Sequence, residues 1–191
     1  MEWAWLIPVF SFAAAPLIVV LGRVLPGSGS FLAILAIAAG FAMFWWVFAG
    51  FLGAGAGTEN CLASAHTGTL TCHYQMDWFH AGLAGAAGSV ALTWGIIVDP
   101  LTLAMLGLVT FVALMVQIYS LGYMRGDSRF GWYYAVHAMF AAAMLTLVLA
   151  DNFLLLYVAW ELVGICSYLL IGFWHERPAA KEAAKKAFIV T

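Results

Sequence analysis

The sequence predicts an all-α membrane protein: a polytopic transmembrane helix bundle with five complete spans, the start of a sixth and an N-terminus outside. Two features of the composition indicate this fold class. Of the 191 residues, 65% are hydrophobic and only 8% are charged, against about 25% charged residues in an ordinary soluble domain. The mean hydropathy is +1.00. This composition excludes a disordered chain, a secreted disulfide scaffold and a soluble enzyme, and a net charge of −2 gives no sign of nucleic-acid binding.

The third observation is the length of the uncharged runs. A helix needs about 20 apolar residues to cross a bilayer, and five runs reach that length, the last interrupted by one charge, Glu161. The third run begins at Asp99 and Pro100, a strong helix start because Asp caps the first turn and Pro favours the first helical position. The predicted spans are 3–22, 31–51, 100–119, 132–150 and 153–174, and a sixth begins at 181–191.

The run 78–98 is also uncharged, but it contains four glycines that weaken a helix. As a span it would join the next helix through only Val98, Asp99 and Pro100. We therefore predict an interfacial or surface segment that does not cross the membrane. We predict a single membrane domain over 1–191, and this segment belongs to its outer-side loop, 54–98.

The basic residues indicate the orientation. With five spans the loops alternate between the two sides, and all 7 Lys and Arg residues then fall on one side. The positive-inside rule makes that side the cytoplasm, or the matrix of a mitochondrion. We therefore predict a multi-pass protein of the bacterial inner (plasma) membrane, with the mitochondrial inner membrane as the alternative. Arg23 follows the first apolar run instead of preceding it, so the first helix is predicted to be retained.

The outer loop contains Cys61 and Cys72 and no basic residue. A disulfide between them is chemically permitted outside the cytoplasm. The alternative is a metal site that would also use His66, His73 and His80, but no CxxC or HxxxH spacing supports it. We predict the disulfide, no metal site and no cofactor-binding site in this chain.

Polar side chains inside the predicted spans are few. His137 is the one histidine in a span, and we interpret it as a hydrogen-bonded packing residue because a haem in a bundle needs a second, facing histidine. Gln117 and Thr110 are predicted to hydrogen-bond between helices. No nucleotide-binding loop, Ser-His-Asp arrangement or zinc motif is present in the sequence.

Glu161 is the candidate for chemistry. It lies eight residues after Phe153, so about 12 Å along the helix at 1.5 Å per residue. A carboxylate inside the hydrocarbon core costs about 2.5–3.5 kcal/mol on insertion scales and normally faces the bundle interior with a partner. Tyr157 and Tyr168 share its helix face and are candidate hydrogen-bonding groups. Glu161 is therefore either a proton-transfer carboxyl or a structural carboxyl that holds helices together.

The surrounding sequence carries a resemblance. Residues 145–174 read LTLVLADNFLLLYVAWELVGICSYLLIGFW, preceded by GYMRGDSRF at 122–130 and followed by AAKKAFIVT. This pattern resembles the L chain of respiratory complex I (NADH:quinone oxidoreductase), the distal antiporter-like subunit that is called subunit five in mitochondria. The corresponding chain of the related Mrp antiporters is similar but differs after the Trp160–Glu161 pair.

The resemblance implies a proton-translocating subunit with no redox centre of its own. NADH, FMN, iron–sulfur clusters and quinone are then expected in partner subunits. The expected partners are the lipid bilayer and the other complex I membrane subunits, above all the adjacent antiporter-like subunit. The resemblance matches Glu161 to a carboxylate that pairs with a lysine on a seventh helix, and Lys186 to a basic position that opens the sixth helix. No role transfers to Lys185, and Trp132 replaces a residue that is often Arg.

The sequence ends within a helical pattern, so we expect the chain to be incomplete. Three function classes stay open. The first is an ion-translocating complex I subunit, the second an Mrp-type cation/proton antiporter subunit, and the third a membrane scaffold without transport. Glu161 favours the first two over the third, and the residues after Cys166 favour the first over the second.

Overall fold

The computed structural model describes residues 2–22, 24, 26–53, 61–63, 69–82 and 89–190. Six α-helices and three β-strands lie within these residues. The helices are α1 (Leu6–Leu21), α2 (Ser30–Gly53), α3 (Pro100–Tyr123), α4 (Phe130–Leu149), α5 (Phe153–Ile171) and α6 (Pro178–Val190). The first five are long and apolar enough to cross a membrane, which confirms the predicted helix bundle with five spans.

Local chemistry sets where the helices begin. The Asp99 carboxylate accepts a hydrogen bond from the Thr102 backbone N–H at 2.6 Å, and Pro100 takes the first position of α3. Helix α5 begins in the same way, because the Asn152 side chain accepts from the Leu155 N–H at 2.8 Å. Both helix starts are therefore encoded by two or three adjacent residues.

Helix α4 lies at the centre of the bundle and contacts α1, α2, α3 and α5. In its span 61% of the residues are buried, against 22% in α5. Small side chains allow the neighbouring helices to come close, since Ala135, Ala138 and Ala142 are almost completely buried. Helix α5 packs against α4 and α6 and therefore lies at the edge of the described bundle.

The outer loop contains a sheet that the sequence analysis did not predict. Its strands are β1 (Cys61–Ala63), β2 (Leu70–Gly82) and β3 (Ser89–Val98), paired antiparallel in the order β1-β2-β3. The chain is therefore mainly helical, as predicted, with a small sheet in the loop for which no secondary structure was predicted. Strand β3 reads SVALTWGIIV, whose Val, Thr and Ile favour strands. Residues 89–98 therefore do not form a membrane-spanning helix.

The sheet and the basic loops lie at opposite ends of the bundle. Ile96 of β3 bridges Ala150 at the start of α5, and the Asn152 side chain donates to the Thr93 carbonyl at 2.8 Å. At the other end, Arg129 before α4 contacts His175 after α5. Every Lys and Arg within the described residues lies at this second end, and Arg23 lies outside those residues.

Candidate proton-transfer site

Glu161 lies near the middle of α5, between the capping residue Asn152 and the helix end at Gly172. The depth of about 12 Å expected from the sequence therefore holds in the structure. The residue is exposed on the surface of the described chain. The buried face of the same helix carries Leu155, Ala159 and Cys166 and packs against α4.

The position of Glu161 differs from the expectation that it faces the interior of the bundle. The reason is that α5 is an edge helix, so its buried face and its Glu161 face point in different directions. No cationic side chain of the described residues forms an ion pair with Glu161. The carboxylate thus occupies an open face of the bundle against which a further element can pack.

Tyr157 is the residue that the structure brings to Glu161. It lies one helical turn earlier on the same face, and its hydroxyl interacts electrostatically with the Glu161 carboxylate. Its ring stacks on Phe153 with the centroids 6.5 Å apart, which fixes the direction of the side chain. Tyr and Glu side chains can both give and accept protons, so this pair is a candidate for proton transfer.

The other two candidates lie elsewhere. The Tyr168 ring contacts Phe188 of α6 at 5.6 Å in an edge-to-face arrangement, and no contact to Glu161 appears among the described residues. Lys186 is exposed on α6 and forms no ion pair with Glu161. Tyr168 and Lys186 therefore do not join the Tyr157–Glu161 pair in this chain.

A second set of polar groups lies inside the bundle. The Gln117 amide of α3 hydrogen-bonds to Nδ1 of His137 on α4 at 3.2 Å, so both residues connect helices as predicted. Thr110 differs from the prediction, because its hydroxyl donates to the Leu106 carbonyl of its own helix at 2.6 Å. A hydroxyl satisfied in this way has no need of a neighbouring helix.

Sequence reasoning missed an anchor at the N-terminal end of α5. The side chain of Asp151 is 8% exposed, and its carboxylate accepts from Gln75 at 2.6 Å and contacts His73 at 3.0 Å. Both partners belong to β2. No sequence signal could reveal these contacts, because they depend on the strand register and on where the sheet meets the helix. They fix the start of the helix that carries Glu161.

A disulfide joins Cys61 and Cys72 in the structure. They are also paired in register between β1 and β2. The disulfide uses the two thiols that the alternative metal site would need as ligands. Of its other members, His73 contacts Asp151, while His66 and the side chain of His80 lie outside the described part of the chain.

At the basic end, one carboxylate ties two loops together. Asp127 accepts from the Arg129 backbone N–H at 2.8 Å and from the Trp174 indole at 3.1 Å. These hydrogen bonds lower the pKa of Asp127 below its ordinary value, and the bond from the Arg129 N–H has the larger effect. The loop before α4 is thereby held against the end of α5.

Comparison with known proteins agrees with this architecture. The family described as "NADH-Ubiquinone oxidoreductase (complex I), chain 5 N-terminus" matches residues 85–134. The family described as "NADH:quinone oxidoreductase/Mrp antiporter, TM" matches residues 150–191. Subunit L of the F(420)H(2) dehydrogenase of Methanosarcina mazei is 43% identical over 190 residues, which covers 100% of this chain. The chain belongs to the complex I chain 5 family.

Two further members of the chain 5 family show the range of the similarity. Chloroplastic NAD(P)H-quinone oxidoreductase subunit 5 of Mesostigma viride is 38% identical over 191 residues, or 98% of this chain and 27% of that protein. NAD(P)H-quinone oxidoreductase chain 5 of Synechocystis sp. is 50% identical over 135 residues, or 68% of this chain and 20% of that protein. The chain spans 25% of the length of the Methanosarcina subunit, so it corresponds to about a quarter of these family members.

Proposed function

We propose that this chain is a proton-translocating membrane subunit of a quinone oxidoreductase complex, in which Glu161 takes up and releases a proton. The observation that carries the proposal is a carboxylate in the middle of a spanning helix, with the Tyr157 hydroxyl one turn away on the same face. Such a group costs about 2.5–3.5 kcal/mol to insert. A packing role could be filled by an apolar residue without this cost, so ionisation is the property that explains its presence.

The open face of α5 suggests where the rest of the pathway lies. Glu161 is exposed there, while the opposite face of the helix packs on α4. A buried charge requires a partner in the assembled membrane domain. We therefore expect a later helix to pack against this face and to bring a lysine to Glu161, forming the Glu–Lys polar axis.

The redox chemistry belongs to partner subunits in this proposal. The names of the relatives specify two electron donors, NAD(P)H and F420H2. NADH, FMN, iron–sulfur clusters and quinone are accordingly assigned to other subunits. This chain contacts the lipid bilayer and the other membrane subunits, among them the adjacent antiporter-like one. The bacterial plasma membrane is the proposed location, with the basic end of the bundle in the cytoplasm.

An Mrp-type cation/proton antiporter subunit is the second candidate. One observation favours it: the family that matches residues 150–191 includes the Mrp antiporters in its description. The match of residues 85–134 to a complex I family favours the first candidate. A scaffold without transport has no comparable support, because it leaves Glu161 without a role.

The two transport functions differ in what drives ion movement. The test uses the protein reconstituted into vesicles with the subunits that it retains in mild detergent. Addition of an electron donor (NADH, or reduced F420) and a quinone analogue should acidify or alkalinise the vesicle lumen in a sodium-free buffer. A pH change that requires a sodium gradient and ignores electron donors would instead support the antiporter. If the pH changes under neither condition, a membrane scaffold without transport is the function that remains.

A further inference from the structure

Two neighbouring cavities at the basic end of the bundle share the lining residues Trp132 and Leu169. One is a groove of about 450 Å³ between α1, α4 and α5. The other is a cavity of about 420 Å³ at the turn from α5 into α6. Because they share residues, the two form one depression, which runs along the side of the bundle to its basic end.

The cavity at the α5–α6 turn is cationic. Arg129, Lys181 and Lys185 line it, and no Asp or Glu does. Two acids pair with these cations and have exposed side chains: Glu176, at 3.9 Å from Arg129, is 81% exposed, and Glu182, at 3.5 Å from Lys185, is 67% exposed. Asp127 also interacts with Arg129, but it does not line the cavity. Lys181 has no acidic partner within the described residues. The cavity is therefore suited to a phosphate group.

The groove between the helices is apolar along its whole length. On α1 it runs from Phe12 to Val20, about 12 Å at 1.5 Å per residue. Half of a hydrocarbon core measures about 15 Å, so the groove follows most of one leaflet. Trp132 lies where the groove meets the cationic cavity and is 45% exposed, as is typical of aromatic residues at a membrane interface.

We propose that this depression binds one phospholipid with an anionic headgroup. Its phosphate lies among Arg129, Lys181 and Lys185, and one acyl chain lies in the groove along α1 and α4. Charge complementarity selects the anionic headgroup, because the cationic end of the depression faces the leaflet in which anionic lipids attract basic residues. A free phosphate ion would use the cations but leave the groove empty.

The test is photocrosslinking in phosphatidylcholine vesicles that contain the protein with the subunits it retains. The probe is phosphatidylglycerol with a diazirine in its acyl chain, and the labelled peptides are identified by mass spectrometry. Labels should fall on residues 12–20 and 135–139, about tenfold more than with phosphatidylcholine carrying the same chain. Excess inorganic phosphate should not displace the probe.

Four variants separate the headgroup from the chain. Lys181→Gln with Lys185→Gln should reduce labelling about tenfold, whereas Arg125→Gln, an exposed cation outside the cavity, should not. Val19→Trp fills the groove from its exposed side and should prevent labelling, whereas Val112→Trp on α3 should not. Native gels check assembly.

Three results would overturn the lipid site. These are equal labelling by both headgroups, labelling that survives the double lysine substitution, and no label in the groove. The last would show that a protein segment occupies the depression. None of these outcomes bears on proton transfer by Glu161.

Discussion

The imidazole of His73 and the carboxylate of Asp151 lie 3.0 Å apart, although 78 residues separate them in the sequence. This contact joins strand β2 to the residue that precedes the cap of α5. Gln75 adds a second hydrogen bond to the same carboxylate at 2.6 Å. The β1–β3 sheet therefore holds the start of the helix that carries Glu161.

Replacing Asp151 should weaken this connection. Asp151→Ala removes both acceptors from a side chain that is 8% exposed, and we expect a loss of about 1–3 kcal/mol, from two hydrogen bonds of about 0.5–1.5 kcal/mol each. His73→Ala should cost less, about 0–1 kcal/mol, because His73 is 42% exposed. Thermal unfolding in detergent measures both, and equal stability of the Asp151 variant and the wild type would contradict the anchor.

The disulfide and the orientation can be tested together. A membrane-impermeant maleimide added to intact cells should label Cys61 and Cys72 only after a reductant. Cys166 is buried in α5 and should stay unlabelled in both cases. Ser128→Cys, in the loop at the basic end, should react only after the cells are opened. Labelling of the sheet cysteines from the cytoplasmic side alone would reverse the proposed topology.

Asp127 predicts a dependence of stability on acid. Its pKa in the folded chain is lowered from an ordinary value of 3.8, first by the hydrogen bond from the Arg129 N–H. The stabilisation is therefore complete above that value and is lost as the pH falls through the lower, folded-state pKa. Asp127→Asn should show a smaller drop in melting temperature between pH 5 and pH 3 than the wild type. Identical pH profiles would assign the acid sensitivity to other groups.

The sequence was informative where structure is local. The five spans follow from uncharged runs, and Asp99 with Pro100 marks the start of α3 because a cap involves adjacent residues. The sheet was missed because four glycines in an apolar run indicate a poor helix without indicating which strands pair. The exposure of Glu161 could not be predicted either. Residue spacing along α5 shows which residues share its face, but not whether another helix covers that face.

Tyr157 is expected to position Glu161. Tyr157→Phe removes the hydroxyl but keeps the ring that stacks on Phe153. We expect proton uptake to fall about two- to tenfold, the effect of losing one polar interaction of about 0.5–1.5 kcal/mol, with an altered dependence of the rate on pH. Tyr119→Phe, an exposed tyrosine on α3, is the matched control and should leave the rate unchanged. A pH profile that is the same for the Tyr157 variant and the wild type would remove the positioning role.

Proton transfer through Glu161 is tested most directly with an assembled Glu161→Gln variant in vesicles. The measurement is the initial rate of proton uptake driven by an electron donor and a quinone analogue. Gln keeps the volume and the hydrogen bonds of Glu but cannot ionise. We predict a loss of about 100-fold or more, the range of general acid–base catalysis, accompanied by slower quinone reduction. Glu161→Asp should retain more activity, and Glu182→Gln on α6 should match the wild type. A wild-type rate in the Gln variant would contradict proton transfer through Glu161 and leave it a structural carboxyl.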